Sequence, residues 1–264
     1  MTDLNTYNIN EDELDKFVYR IIDYDRLVKI LKTNNNTLVR TFMWEDPFEN
    51  LLTILTSDKE RKTSYSTMNK FTYAQCWSFA NENDLLWRTY SPNKESVRVR
   101  STPRKLLKSI YNSSKIKEIL LKPRILWESS RDNDKIEESI SFFCGKVKYL
   151  TKDEIYDFIK SNQRGLNLKF YFESLFIKRE PFRNEEEFRL GVYHVSELHD
   201  IILEFSENIF NYDIKFNDVF EEIVFDPRIS NEKYNGLKDV LKKLQFENPI
   251  YKSDIYDKPS INDF

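Results

Sequence analysis

From Phe176 to Tyr193 the chain reads FIKREPFRNEEEFRLGVY, and from Glu185 onward its charged and apolar residues alternate. Period two predicts a strand with Glu185, Glu187, Arg189 and Gly191 on one face. Phe188, Leu190 and Val192 take the other, with Glu186 at the strand's entrance. Two carboxylates on one face, ~7 Å apart at strand rise, repel each other; such a pair can raise one pKa or demand a cationic partner. The pair suits catalysis by carboxylates. It suits equally an edge strand that uses charge against aggregation.

A second concentration of polar groups lies in Tyr73 to Ser91, YAQCWSFANENDLLWRTYS, where a strand-like run, a polar turn and a short aromatic helix follow one another. Ser78, Asn81, Glu82 and Asn83 crowd the join between Trp77 and Trp87. Buried polar groups need hydrogen-bond partners, so the cluster lines either a tight structural turn or a pocket. Trp87 and Tyr90, aromatics at helical spacing, suit core positions. A third group is basic. Arg98 and Arg100 alternate with Val97 and Val99 in SVRVRS, and Arg104, Lys105 and Lys108 follow on a helix opened by Thr102 and Pro103. That patch is a solvated face or a phosphate-binding site.

The elements that must position these residues can be read in order. Residues 1 to 15 form a polar arm. Phe17 to Ile22 is a strand carrying Tyr19 and Arg20, a surface charge or the start of a pocket-lining strand, and a helix with Leu27, Ile30 and Leu31 on one face follows. Thr37 to Thr41 is a strand; Asp46 caps a helix that begins at Pro47, with Glu49 in its first turn. Ser57 to Lys70 reads as an exposed loop and Ser130 to Glu138 as a polar one. Ile116 to Trp127 is a helix broken by Pro123. Ile140 to Leu150 is a strand in which Gly145 marks a bulge or a close approach. Lys152 to Ser161 and Leu166 to Ile177 are helices, and Ile201 to Phe205 and Phe220 to Phe225 further strands. A turn at Asp226, Pro227 and Arg228 leads to a helix from about Asn231 to Leu244, and a loosely held tail begins at Glu247. The result is an α+β protein: a single domain over 1–264, core 16–245, with a mixed, mainly antiparallel central sheet and flanking helices.

Composition narrows the chemistry. With 264 residues, 40% hydrophobic and 32% charged, the chain can bury a real core. It lacks an apolar run of membrane-spanning length or a signal-peptide pattern, so a cytoplasmic location is expected, with no membrane partner. Cys76 and Cys144 fit reduced core residues. Four glycines leave no phosphate-cradling loop, and two histidines, His194 and His199, remove most histidine metal sites and hydrolase schemes, so no metal is expected. Carboxylates, arginines, hydroxyls and aromatics remain.

Several motifs in order carry a resemblance: Tyr19 and Arg20 before a helix, DPFE at Asp46 to Glu49, CWS at Cys76 to Ser78 with LWRTY at Leu86 to Tyr90, and VKY at Val147 to Tyr149. Lys178 with Glu185, Glu187, Phe188 and Arg189, and a closing strand and turn at Phe225 to Arg228, complete it. From Val18 to about Leu244 the chain resembles a widespread bacterial family known as a domain of unknown function, often found near mobile elements and phage-defence genes. Asp226 stands where a glycine is common.

A more distant similarity is to the arginine-serine-glutamate ADP-ribosyltransferases. An arginine on the first strand, a serine on a middle strand and an E-x-E on a later one are matched by Arg20, Ser78, Glu185 and Glu187. The resemblance implies an ADP-ribosyltransferase-like fold and an NAD-consuming effector, in phage defence or a toxin system. Arg20 would hold the NAD diphosphate, Ser78 the ribose, and Glu187 the oxocarbenium-like centre left as nicotinamide departs. Tyr19, Trp77, Trp87, Tyr90, Arg98 and Arg189 would complete the nucleotide site, and the acceptor would be protein, nucleic acid or water. Two other classes stand beside it. One is a nucleic-acid-binding protein or nuclease using the Arg98 to Lys108 patch, with Mg²⁺ held by Glu185 and Glu187; the other is a non-catalytic sensor of a nucleotide-like ligand.

Overall fold

The computed structural model describes residues 4–50, 52, 59–121, 139–161, 168–195 and 208–257. The expected strand at Ile201 to Phe205, the loop at Ser130 to Glu138 and the stretch beyond Pro123 lie outside them. Strands, in chain order, are β1 (Leu4–Tyr7), β2 (Val18–Asp23), β3 (Asn35–Arg40), β4 (Thr72–Ser78), β5 (Ser96–Ser101) and β6 (Ser139–Lys146). They continue with β7 (Lys148–Leu150), β8 (Ile177–Arg179), β9 (Glu187–Val195), β10 (Ile209–Asp213), β11 (Glu222–Phe225) and β12 (Ile250–Lys252). The helices are α1 (Tyr24–Thr33), α2 (Lys59–Phe71), α3 (Asp84–Tyr90), α4 (Pro103–Tyr111), α5 (Ser114–Leu121), α6 (Lys152–Ser161), α7 (Leu168–Ser174), α8 (Phe216–Val219) and α9 (Asn231–Lys243). The protein is α+β, and its sheets are mixed and mainly antiparallel.

The chain divides into two compact units, each drawn from three stretches of sequence. The first comprises Met1–Glu11, Thr37–Cys76 and Ser114–Tyr212. In it β1 runs parallel to β6, β6 antiparallel to β9, and β3 antiparallel to the start of β4. The register of β6 on β9 places Gly145 opposite Arg189 and Phe143 opposite Gly191. Both glycines answer to close backbone approach: a Cβ at Gly145 would fall on the carbonyl of Tyr7, and one at Gly191 on that of Tyr73. Phe143, Phe170, Tyr171, Phe172, Phe176 and Ile177 form the core against these strands.

Two expectations fail here for packing reasons. Within the expected N-terminal arm, Leu4–Tyr7 is a strand and Glu11–Asp15 a 3-10 helix: the Tyr7 ring stacks on Phe176 at 4.8 Å, and Asn8 donates to the Lys146 carbonyl at 2.9 Å. The loop expected over Ser57 to Lys70 is largely α2, because Tyr65, buried and stacked on Tyr171, and Met68 one turn on give an otherwise polar helix an anchoring stripe.

The second unit comprises Asp12–Asn36, Trp77–Ser113 and Asp213–Phe264. There β2 is antiparallel to β5, β5 to β11, and β11 parallel to β12. Val18, Ile22, Val97, Val99, Ile223 and Phe225 are buried at alternate positions of these strands. Helix starts follow the capping residues in the sequence. Asp23 accepts from the Asp25 and Arg26 amides, Asn83 from Leu86, Thr102 from Lys105 and Ser230 from Lys233. The C-terminal stretch is held over its described residues: β12 pairs with β11, and Asn248 donates at 2.8 Å to the carbonyls of Asn217 and Phe220.

Candidate functional site

The E-x-E motif is built differently from the alternation in the sequence. Residues Glu180–Glu185 form a 3-10 helix, Glu186 takes a left-handed conformation at φ 41°, and the strand begins only at Glu187. Glu185 therefore does not sit on the strand face with Glu187 and Arg189. The two carboxylates are brought together by a cation instead. Lys178 Nζ, from β8, donates to Glu185 Oε2 at 2.6 Å and to Glu187 Oε2 at 3.2 Å, and lies 3.3 Å from Glu49 Oε1.

Around that ammonium a buried charge cluster closes. Arg189 is 0% exposed. Its Nε and Nη2 donate at 2.9 Å to the two oxygens of Glu187, its Nη1 donates to the Leu175 carbonyl at 2.5 Å, and Nη2 also meets Glu49. The guanidinium lies 4.2 Å from the centroid of Trp44. The Glu187 amide donates to Tyr149 Oη at 2.7 Å. Burial alone would push the Glu187 carboxyl up, but Arg189's charge and hydrogen bonds, with Lys178 behind them, hold it down at about 2. The Cys76 thiol beside it is pushed well up, by burial first and then by the Glu187 charge. Glu187 is thus a fixed, ionised carboxylate at neutral pH.

Glu49 is the residue that sequence reasoning undervalued. DPFE reads as a helix start, and Asp46 does cap it, accepting from the Phe48 amide at 3.0 Å. It also receives two bonds from Arg179, at 3.0 and 3.2 Å. A short 3-10 turn, Pro47–Asn50, then carries Glu49 inward to Arg189 and Lys178. The signal was a motif with more charge than a cap requires.

In the second unit the polar turn after β4 proves structural. Ser78 Oγ accepts from the Ala80 amide at 3.0 Å, and Asn83 caps α3. Asn81 accepts from Arg98 Nη1 through its carbonyl at 2.9 Å and its side chain at 2.6 Å. Glu82 accepts from Trp87 Nε1 at 2.7 Å, from Arg98 at 3.2 Å and from Ser253 Oγ. Trp77 and Trp87 are buried, whereas Tyr90 is exposed. Tyr19 lies opposite Ser78 across β2 and β4. Cross-strand partners share a face and neighbours along a strand do not, so Arg20 projects from the face opposite Ser78 and Tyr19. The diphosphate and ribose roles implied for Arg20 and Ser78 cannot be served from one side of that sheet.

The basic patch is not a bare one. Arg98 is buried, donates to Glu222 at 2.8 Å and stacks 4.8 Å from the Tyr19 centroid. Arg100 meets Glu222 at 3.0 Å, Lys105 meets Glu221 at 2.7 Å and Arg104 meets Asp15 at 2.7 Å. Each of these four side chains is thus paired with a carboxylate. Among the described residues no group of three or more His, Cys, Asp and Glu side chains could hold a metal. The point between Glu185 and Glu187 that a bridging cation would take is filled by Lys178 Nζ. Also among the described residues, no helix is long and apolar enough to cross a membrane.

No protein-family model matches the chain, and no curated protein does. Solved structures similar to it include Thermus sp. 2.9 DarT in complex with NAD+, at 10% identity and a TM-score of 0.37, covering 90% of this chain and 95% of that one. The same protein in complex with ADP-ribosylated ssDNA gives 10% identity and a TM-score of 0.37, over 94% of this chain and 97% of that one. Its complex with carba-NAD+ gives 10% identity and 0.34, over 90% and 95%.

Proposed function

We propose that this chain is an NAD-consuming, ADP-ribosyltransferase-like enzyme whose chemistry runs on the Glu185 and Glu187 pair. The observation that carries the reading is the gathering of both carboxylates on one ammonium, Lys178 Nζ, with Glu187 held ionised by a fully buried arginine. Leaving of nicotinamide from NAD develops positive charge on the ribose. A preorganised anion in a site shielded from water stabilises such a centre without reorganising as the charge forms. The cluster names three carboxylates, Glu49, Glu185 and Glu187, against two cations, Lys178 and Arg189.

The E-x-E motif supports the same reading through the resemblance to arginine-serine-glutamate enzymes. The test is release of labelled nicotinamide from NAD, with protein, DNA and water as acceptors. Wild type turns NAD over and the double variant Glu185→Gln/Glu187→Gln does not; equal turnover by the two overturns the reading.

A further inference from the structure

The sequence singles out VKY, Val147 to Tyr149, and no step of the proposed chemistry uses it. In the structure it joins β6 to β7 and grips Glu187 by the backbone on both sides. The Val147 amide donates to the Glu187 carbonyl at 2.9 Å, and the Glu187 amide donates to Tyr149 Oη at 2.7 Å. Val147 makes its bond through the main chain, which any residue but proline could supply. Tyr149 makes its bond through the side chain, so the choice of tyrosine has a chemical consequence.

A carbonyl or a carboxylate would accept from that amide without bringing a proton; a phenol brings one. Tyr149 Oη spends a lone pair on Glu187, and its O–H remains a donor in need of an acceptor. Among the described residues none accepts it. The ring is half-buried, and the charges that act on it, Glu187, Glu185 and Lys178, are those of the cluster itself. Burial first, then the two carboxylates, pushes the phenol above its ordinary range against the amide bond and the ammonium, so the proton stays on the oxygen at neutral pH.

Resting on the NAD reading of this cluster, we infer that Tyr149 is a substrate-binding residue whose O–H donates to a hydroxyl of the ribose from which nicotinamide leaves. One oxygen then does two things. Accepting from the Glu187 amide fixes where the phenol sits, and donating to the sugar fixes the sugar relative to Glu187. A ribose hydroxyl is an acceptor as well as a donor, so it can take this bond and keep its own proton for another. Water in the same place would satisfy the phenol equally, and the experiment separates the two.

It measures kcat, KM and the melting midpoint for wild type and Tyr149→Phe in the full chain, with NAD and with its two analogues lacking the 2′- or the 3′-hydroxyl of the nicotinamide ribose. Where an analogue is not turned over, its inhibition constant against NAD takes the place of KM. Tyr149→Phe is expected to raise KM for NAD about tenfold. Against the analogue lacking the hydroxyl that Tyr149 meets, the same substitution is expected to cost less than about threefold, since the partner is already gone. Loss of the acceptor for the Glu187 amide lowers the melting midpoint too, but that loss does not depend on which sugar is offered. An unchanged KM for NAD, or an equal penalty for NAD and both analogues, overturns the inference and leaves Tyr149 bonded to water. If Tyr149→Phe does not fold, a ring-fluorinated tyrosine in place of Tyr149 decides. Once ionised it still accepts from the Glu187 amide but has no proton to give, so KM for NAD should climb through its titration and that for the matching analogue should not; parallel behaviour overturns the inference. A wild type that releases no nicotinamide from NAD is a different result, which sinks the NAD reading itself and this inference with it.

Discussion

The two units each hold a network of arginine, lysine and glutamate, and the networks differ in how deeply their charges are buried. In the second unit Arg98, Arg100 and Lys105 face Glu82, Glu221 and Glu222, three cations against three carboxylates. That network joins β5 and β11 to the turn after β4, and its Lys105 and Arg100 side chains are 44% and 26% exposed. In the first unit the Arg189 side chain is 0% exposed and that of Glu187 5%. Charges taken that far from water rely on one another in place of solvent, so removing one partner costs more than in a network that water still reaches.

This contrast can be broken at its strongest point. Arg189→Met leaves Glu49 and Glu187 buried beside a single ammonium, and is expected to cost about 3–5 kcal/mol in chemical denaturation. A loss comparable to that of a surface change would show that the cluster is not buried as described.

Acid should attack the same pair more gradually. The Glu187 carboxyl is held below its unfolded value, so its contribution is fully present above about 4.5 and is lost as pH falls from there through about 2. Melting midpoints measured down that range should fall in wild type, and the Glu187 share of the fall should vanish in Glu187→Gln. An identical acid slope in the two proteins would contradict the assignment.

Smaller still is the expected effect in the balanced network. Glu222→Gln keeps the hydrogen bond to Arg98 in shape but removes its charge, while Glu82 and Asn81 continue to hold that guanidinium. About 1–3 kcal/mol of stability should go, read by urea titration. If NAD turnover collapsed with an unchanged urea midpoint, the second network would have chemistry of its own and the distinction between the units would fail.

Much of the fold was legible because local signals and packing agree. Asp84–Tyr90 and Ser96–Ser101 are a helix and a strand with the bounds the sequence suggests, since an asparagine cap and a strict period of two leave little choice. The arm at Leu4–Tyr7, the helix Lys59–Phe71 and the strand Ile250–Lys252 were not legible. Each is held by partners more than 20 residues away: Phe142 to Gly145 and Phe176 for the first, Tyr171 for the second, Glu222–Phe225 for the third. The candidate site divides in the same manner. Glu185, Glu187 and Arg189 could be singled out from residue types and alternation, and Lys178 through the resemblance. That Glu49 joins them, and that the Tyr73 to Ser91 turn satisfies its own polar groups, could not.

By itself the sequence determined the α+β character, through the periods of its apolar residues, and the kind of chemistry open to the chain. So few glycines and histidines leave carboxylates and arginines to do it. Only the tertiary structure decided how the two glutamates, two positions apart, are held: Glu187 on a strand by Arg189 through both oxygens, Glu185 at the end of a 3-10 helix by Lys178. Hydrogen-bond donors are shared out in three dimensions, and an arginine sealed from water claims the carboxylate it can reach on both oxygens, whatever the spacing in the chain proposes.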